Sequence, residues 1–156
     1  MLSHLDDENN PMMVDVTQKQ VTYRIAVARS IIVLPAEVLR HLTGGELQSK
    51  KGPVFQTAII AGIMAAKKTG DLIPLCHPLG LDNCNLTISL NDQHEVVIDC
   101  TASITAKTGV EMEALVGASI AALTVYDMCK AMSHDIVIKE TRLIEKTGGK
   151  RDFKRA

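Results

Sequence analysis

The sequence predicts an α+β fold in which helices cover an antiparallel sheet, in the split βαβ arrangement. Residues 86–105 alternate apolar and polar side chains on either side of a short polar link, which indicates a hairpin with one buried face. Helix-forming segments at 54–68 and from 111 to about 132 flank this hairpin. Val- and Ile-rich strands at 22–34 and 136–144 begin and end the pattern.

The first half of the chain is punctuated by proline and glycine. After the strand at 22–34, a short helix is predicted over 35–42, because proline is tolerated at the first helical position, and Gly44-Gly45 ends it. The helix at 54–68 carries two lysines in its last turn, and Gly70 lies just past it.

Residues 71–80 are predicted to be non-regular, because two prolines four residues apart remove donors and restrict the residues before them. We see no internal repeat, and we expect one domain over residues 1–156. A flexible tail is expected over about residues 1–13, and a mobile tail after about residue 147.

Composition excludes several classes of function. The chain has 17 Lys and Arg against 18 Asp and Glu, no Trp, two Phe and two Tyr, so it lacks the basic field and the aromatic platform that nucleic acids require. We expect no apolar run to reach the about 18 residues that a membrane span requires, so no membrane partner is expected either. Four cysteines without C-x-x-C spacing, after an acidic N-terminus, indicate free thiols in the cytoplasm.

The longest predicted helix has two apolar faces at helical spacing. The face expected to lie on the sheet comprises Leu115, Ala118, Ala122, Val125, Cys129 and Met132. The face about opposite comprises Glu113, Val116, Ile120, Leu123, Asp127 and Lys130. Because a helix on a sheet needs one apolar side, this second face must be covered by the helix at 54–68 or by a second subunit.

The acidic residues at the two ends of the second face cannot meet within one chain. Glu113 and Asp127 are 14 residues apart, which places them about 21 Å apart along a helix. Antiparallel pairing of two copies around Ile120 would bring Glu113 of one copy beside Asp127 of the other. We therefore expect composite sites at a homodimer interface.

Several residues have both a functional and an ordinary interpretation. His77 lies in the rigid loop, where it suits anion binding or proton transfer as well as it suits an ordinary loop position without a function. Cys76 beside it is expected to pack. No metal site is predicted, because a zinc site needs four ligands and the other three cysteines fall on core faces. Glu111 completes a capping box with Thr108, which is a structural role.

Charged residues near the helix ends remain open to two interpretations. Glu113 suits the N–H edge of a guanine-like ring, or it is a solvated acid at a helix N-terminus. Asp127 and Lys130 form either a surface ion pair or a partly desolvated proton relay. Lys51, beside Gly52, and the Lys146–Lys150 segment are phosphate-binding candidates or solvated loops, and the latter lacks the phosphate-loop motif.

Four segments, at 51–55, 71–79, 107–115 and 122–130, resemble one family in order and spacing. They are similar to the molybdenum cofactor biosynthesis protein C family, the cyclic pyranopterin monophosphate synthases. The resemblance runs from about Met13 to Phe153. It implies a ferredoxin-like antiparallel sheet with helices on one face, and a cytoplasmic homohexamer built as a trimer of dimers with active sites at the dimer interface.

The resemblance also implies the chemistry. The substrate would be 3′,8-cyclo-7,8-dihydro-GTP, rearranged to cyclic pyranopterin monophosphate with release of pyrophosphate and without a cofactor. Asp127 would be the catalytic acid or base, assisted by Lys51 and Lys130. Substrate contacts are implied at Leu75, Cys76, His77, Met112, Glu113 and Lys146. The competing hypothesis is a non-catalytic regulator that binds a small ligand between subunits.

Overall fold

A computed structural model of the chain describes residues 5–156, which form two sheets and four helices. The strands are β1 (Thr22–Val33), β2 (Leu42–Thr43), β3 (Glu46–Ser49), β4 (Gly52–Pro53), β5 (Asn83–Leu90), β6 (Val96–Ala106), β7 (Val137–Thr147) and β8 (Phe153–Lys154). The helices are α1 (Ala36–Leu39), α2 (Val54–Ala66), α3 (Thr69–Leu72) and α4 (Glu111–Cys129).

The main sheet has the strand order β5-β6-β1-β7-β8, and every neighbouring pair is antiparallel. Its four long strands, numbered along the chain, therefore lie in the order 2-3-1-4, with α2 and α4 as the two crossover helices. Helix α4 packs on β1, β6 and β7, and α2 packs on β5. This is the ferredoxin-like arrangement, so the predicted fold class is confirmed.

The predicted hairpin forms, and its predicted face is buried along β6, whereas on β5 Leu86 is buried and Leu90 is exposed. The inward residues of β6 are Val96, Ile98, Cys100, Ala102 and Ile104, all buried. On α4, the face expected to lie on the sheet also enters the core: Ala118, Ala122, Val125 and Cys129 are buried, while Leu115 and Met132 pack at its margin. The alternation and the helical period therefore placed the core correctly.

Helices α2 and α4 approach each other backbone to backbone. A Cβ added to Gly62 would lie 2.8 Å from the carbonyl oxygen of Gly117 and 2.5 Å from Leu86 Cδ2. A Cβ added to Gly117 would lie 2.6 Å from Cys100 Sγ. These two glycines are needed because no side chain fits where the helices cross.

The short elements between β1 and α2 differ from the prediction. Helix α1 spans four residues, and Gly44-Gly45 turns the chain between β2 and β3 with φ angles of +59° and +78°. Strands β2, β3 and β4 form a small sheet that was not predicted, because two to four residues are too few to show a period. Helix α2 ends at Ala66, and Gly70 lies inside the turn of α3.

Contrary to the prediction that no segment is long and apolar enough for a membrane span, α4 is so by length and composition. Half of the apolar stretch of α4 is buried inside the protein. The apolar character of α4 follows from its packing, since one side of the helix lies on the sheet and a flank lies against α2, and a helix covered on two sides needs few polar residues.

The two ends of the chain are partly structured. Residues 1–4 of the expected N-terminal tail lie outside the described residues, and Leu5 forms a bridge with Pro11. Strand β8 pairs with the end of β7, so that Phe153 lies opposite Lys146. The mobility of either tail stays a prediction.

Candidate functional site

Lys51 is presented by a tight turn between β3 and β4. The Ser49 hydroxyl accepts a hydrogen bond from the Lys51 N–H at 3.1 Å and donates to the carbonyl of Gly52 at 3.1 Å. Gly52 has a φ of +109°, in the region that favours glycine. The turn therefore holds the Lys51 backbone while its side chain extends outward.

The carboxylate of Glu46 fixes this turn to the start of α2. Its Oε1 accepts hydrogen bonds from the N–H groups of Leu47 at 2.7 Å and Phe55 at 2.8 Å, and its Oε2 accepts one from Gln56 at 3.1 Å. Glu46 thus satisfies amides in the first turn of α2, where an anion is also favoured by the helix dipole. This cap could not be predicted from local sequence patterns, since Glu46 lies nine and ten residues before two of its partners.

Lys51, Asp127 and Lys130 form an ion cluster at the C-terminal end of α4. Lys51 Nζ lies 2.7 Å from Asp127 Oδ2, and Lys130 Nζ lies 2.9 Å from Asp127 Oδ1. These hydrogen bonds, that of Lys51 first, lower the pKa of Asp127 to about 2. The carboxylate raises the pKa of Lys130, so Asp127 is charged and Lys130 is protonated at neutral pH.

The ion cluster is open to solvent in this chain. The side chains of Asp127 and Lys130 are 50% and 58% exposed, so in the single chain they form a surface ion pair, and the alternative of a partly desolvated proton relay stays a prediction for the assembled protein. The second apolar face of α4 does not shield these charges from solvent, since Leu123, the apolar residue before them on that face, is itself exposed.

A cavity of about 270 Å³ opens at the other end of α4. Its wall contains five of the residues predicted to contact substrate: Leu75, Cys76, His77, Met112 and Glu113. We call this cavity the pocket. The 71–80 loop reaches it because Gly70 packs against Pro78, where an added Cβ would lie 3.2 Å from Pro78 Cα.

The segment before β1 forms another wall of the pocket, through Val14, Val16 and Lys19. His77 Nε2 donates a 2.7 Å hydrogen bond to the carbonyl of Val14, which fixes the proton on that ring nitrogen. Lys107 Nζ donates to the carbonyl of Thr17 at 3.0 Å. This wall was not predicted, because hydrogen bonds to backbone carbonyls leave no pattern in the sequence.

Glu113 is the buried acid of the pocket, with 3% of its surface exposed. Burial raises the pKa of Glu113, and the nearby Glu111 adds to the effect. Burial, followed by Glu113, also raises the pKa of the Cys76 thiol, which agrees with the expectation that Cys76 packs and does not act as a nucleophile.

The capping box predicted for Glu111 is wrong. The N-cap of α4 is Val110, and no side chain within the described part of the chain caps it. Glu111 is the first helical residue, and its Oε1 lies 3.1 Å from Lys146 Nζ on β7. The opposite charge, 35 residues away in sequence, holds the carboxylate at the rim of the pocket and brings Lys146 there with it.

The predicted site residues therefore fall into two groups. Those lining the pocket lie at the start of α4, with Lys146 beside them, and the ion cluster lies at its end. Glu113 and Asp127 are 14 positions apart, which corresponds to about 21 Å of helix. One chain does not bring the two groups together. Among residues 5–156, no His, Cys, Asp and Glu side chains cluster as a metal site would require.

Comparison with known proteins identifies the family. The sequence profile of the MoaC family matches residues 13–149, which include every predicted site residue. The chain belongs to the MoaC family. The predicted resemblance is therefore confirmed, while the role of each site residue stays a prediction.

Individual relatives agree with the MoaC assignment. The chain is 54% identical to a cyclic pyranopterin monophosphate synthase of Xanthomonas campestris pv. campestris, over 97% of this chain and 92% of the relative. It is 49% identical to a cyclic pyranopterin monophosphate synthase of Heliobacterium modesticaldum, over 96% and 93%. It is also 54% identical to a molybdenum cofactor biosynthesis bifunctional protein of Synechocystis sp., of which it covers 45%.

Proposed function

We propose that this MoaC-family chain is a cyclic pyranopterin monophosphate synthase of molybdenum cofactor biosynthesis. The observation that carries the proposal is its 54% identity to a synthase along 97% of the chain. The substrate we propose is 3′,8-cyclo-7,8-dihydro-GTP, which is rearranged to cyclic pyranopterin monophosphate with release of pyrophosphate. The acidic pocket at the start of α4 and the lysines of the ion cluster at its end suit a ligand that has a polar ring at one end and a phosphate chain at the other.

The complete site is proposed to lie between two copies of the chain. A cavity of about 270 Å³ is below the 300–1,000 Å³ usual for ligand pockets, and the ion cluster lies at the far end of the same helix. The outer side of α2 and α4 exposes Ile60, Met64 and Leu123, each more than half exposed. An antiparallel dimer would cover this apolar surface and complete the pocket with the ion cluster of the other copy. A hexamer built from three such dimers is the assembly we propose.

The pocket is suited to the ring system of the substrate. The Glu113 carboxyl can accept a hydrogen bond from a ring N–H, or donate one when protonated, and burial brings those two states closer to balance. His77 already donates through Nε2 to Val14, so Nδ1 is the ring nitrogen left to face the substrate. Opening of the purine ring needs proton transfers, and these two groups are placed to assist them.

The ion cluster is suited to the phosphate end. When a substrate hydroxyl attacks the α-phosphorus, the cyclic ester forms as the P–O bond to pyrophosphate breaks, and the leaving group gains negative charge. Lys51 and Lys130 would stabilise that charge. Asp127, whose pKa is about 2, is a carboxylate at working pH and would act first as a base.

The proposal extends to the setting of the enzyme. The substrate is a small nucleotide-derived molecule, and a near-neutral charge makes nucleic acid a poor partner. All four cysteines, which lie within the described residues, are free thiols, and this supports the cytoplasm as the compartment.

The test is turnover of the purified chain. Incubation with 3′,8-cyclo-7,8-dihydro-GTP should release pyrophosphate and yield cyclic pyranopterin monophosphate, detected by mass spectrometry. D127N should retain the oligomer and substrate binding but lose product formation by about 100-fold or more, the usual effect of removing an acid–base group. Binding without turnover in the unmodified chain would instead support the ligand-binding regulator.

A further inference from the structure

Two cysteine thiols lie side by side in the main sheet, away from the proposed active site. Cys84 on β5 and Cys100 on β6 are free, and their sulfur atoms are 3.8 Å apart. They are diagonal neighbours, since Cys84 lies opposite Ala102 and Cys100 lies opposite Leu86. Cys84 is half-buried near the edge of the sheet, whereas Cys100 is fully buried under α4.

We propose that Cys84 and Cys100 are an oxidation site, at which a hydroperoxide converts two thiols into a reversible disulfide between β5 and β6. This inference is independent of the proposed synthase activity. The thiolate of Cys84 attacks one oxygen of hydrogen peroxide, the O–O bond breaks, and Cys84 becomes a sulfenic acid as hydroxide leaves, which takes up the proton lost from the thiol and becomes water. Cys100 then attacks that sulfur, the S–O bond breaks, and a second water leaves as the disulfide forms.

The environment assigns a different role to each sulfur. A hydrogen bond from Cys100, together with the charge of Lys67, lowers the pKa of Cys84. The same hydrogen bond and burial raise the pKa of Cys100. Cys84 is therefore the more exposed and more readily ionised thiol, which we expect to meet the oxidant, and Cys100 is the resolving thiol.

The geometry of the sheet allows a bond between the two sulfur atoms, but it strains that bond. The sulfur atoms must approach from 3.8 Å to about 2.05 Å, the length of a disulfide bond. Cys100 Sγ is held against Gly117, so the movement falls to Cys84, the second residue of an edge strand. Diagonal neighbours lie about 7–8 Å apart, beyond the about 4.4–6.8 Å between the Cα atoms of a relaxed disulfide, so this bond would be strained, and strained disulfides are the readily reduced ones. The geometry therefore favours a reversible bond over a permanent one.

The other two cysteines provide internal controls. Burial raises the pKa of Cys129 to about 11, and the pKa of Cys76 is also raised. Cys76 is half-buried like Cys84, so it tests whether exposure alone determines reactivity. We expect iodoacetamide to label Cys84 before Cys76.

The deciding experiment is peptide mapping of the full chain after treatment with hydrogen peroxide. We expect the loss of two thiols per chain, a Cys84–Cys100 cross-linked peptide, and full recovery with dithiothreitol. C84S should leave Cys100 reduced, and C100A should accumulate sulfenic acid on Cys84, trapped by dimedone. Because C100A alters the core, the mapping of the unmodified chain carries the result. Oxidation of Cys76 before Cys84, or sulfinic acid on Cys84 in the unmodified chain without a cross-link, would overturn the proposal.

Discussion

Lys51 and Asp127, 76 residues apart in sequence, share a hydrogen bond of 2.7 Å between Nζ and Oδ2. The lysine comes from the turn before α2, and the carboxylate comes from the last turn of α4. The bond therefore joins the two crossover helices at their surface, and it is the largest cause of the lowered pKa of the proposed acid–base group.

K51M should raise the pKa of Asp127 toward its ordinary value, because one of two strong hydrogen bonds is lost while that of Lys130 remains. NMR titration of the Asp127 carboxyl carbon measures this shift directly. We also expect turnover to fall by about 100-fold. K50M is the matched control, since the neighbouring Lys50 forms no ion pair within residues 5–156. An unchanged Asp127 titration in K51M would contradict the ion cluster.

Mixed subunits should recover activity that neither parent has. E113A removes the pocket acid, and D127N removes the carboxylate of the ion cluster. If one site takes Glu113 from one copy and Asp127 from the other, half of the sites in a mixed dimer are intact. Pyrophosphate release after subunit exchange checks this, with exchange confirmed by native mass spectrometry. Exchange without recovery would mean that each site is built from one chain.

The stability of the protein should carry the signature of the buried Glu113. Its folded-state pKa is raised, so between about pH 4.3, the ordinary glutamate value, and that higher pKa the folded state keeps a proton that the unfolded state loses. The free energy of unfolding therefore falls as pH rises through this window. E113Q should lack this fall, and its stability relative to the unmodified chain should grow with pH.

Urea unfolding at fixed protein concentration measures the Glu113 effect, and E95Q supplies a control of opposite sign. Hydrogen bonds from Asn91 and Lys139 lower the pKa of Glu95. Its contribution is present above the ordinary glutamate pKa and is lost as pH falls through the lowered value. E95Q should therefore be less stable than the unmodified chain at neutral pH. If E95Q and E113Q showed the same dependence of unfolding free energy on pH, the pKa shifts assigned to Glu95 and Glu113 would both be refuted.

E46A should lower the free energy of unfolding by about 1–2 kcal/mol, the usual cost of losing a helix cap. Three backbone N–H groups lose their acceptor in this variant. E37A is the control, because Glu37 is exposed on α1 and its carboxylate accepts no hydrogen bond among the described residues. Equal urea midpoints for the two variants would show that the Glu46 cap contributes nothing.

G62A should destabilise the protein by about 1–3 kcal/mol, because the added methyl group meets the Gly117 carbonyl and the two helices must separate. G80A tests the same change where no described atom lies within 4 Å of the added Cβ. It should stay within about 0.5 kcal/mol of the unmodified chain. Thermal and urea unfolding of both variants measure the difference.

The sequence was informative wherever a long periodic pattern met the core. The alternation in β6 and the helical stripe on α4 each have several consecutive matches, and burial on one face enforces them. The three strands before α2 have at most four residues each, so no period could show them.

Site contacts that depend on residues far apart in sequence were harder to predict. Glu111 fits a local capping pattern, yet Lys146 on β7 attracts its carboxylate into a different position. The cap at Glu46 and the wall formed by Val14 likewise depend on partners brought close only by the fold. Spacing along α4 did predict that Glu113 and Asp127 are separated, because rise per residue is a local property.

The close contact between α2 and α4, which we call the seam, determines the distance between groups of the proposed site. Gly62 and Gly117 let backbone touch backbone there, so no flexible side chain absorbs a change in helix spacing. Lys51 stands before one helix and Asp127 stands at the end of the other. A substitution that pushes the two helices apart would therefore lengthen the distance between Lys51 and Asp127, although neither residue is itself changed. Activity would register such a change before unfolding did.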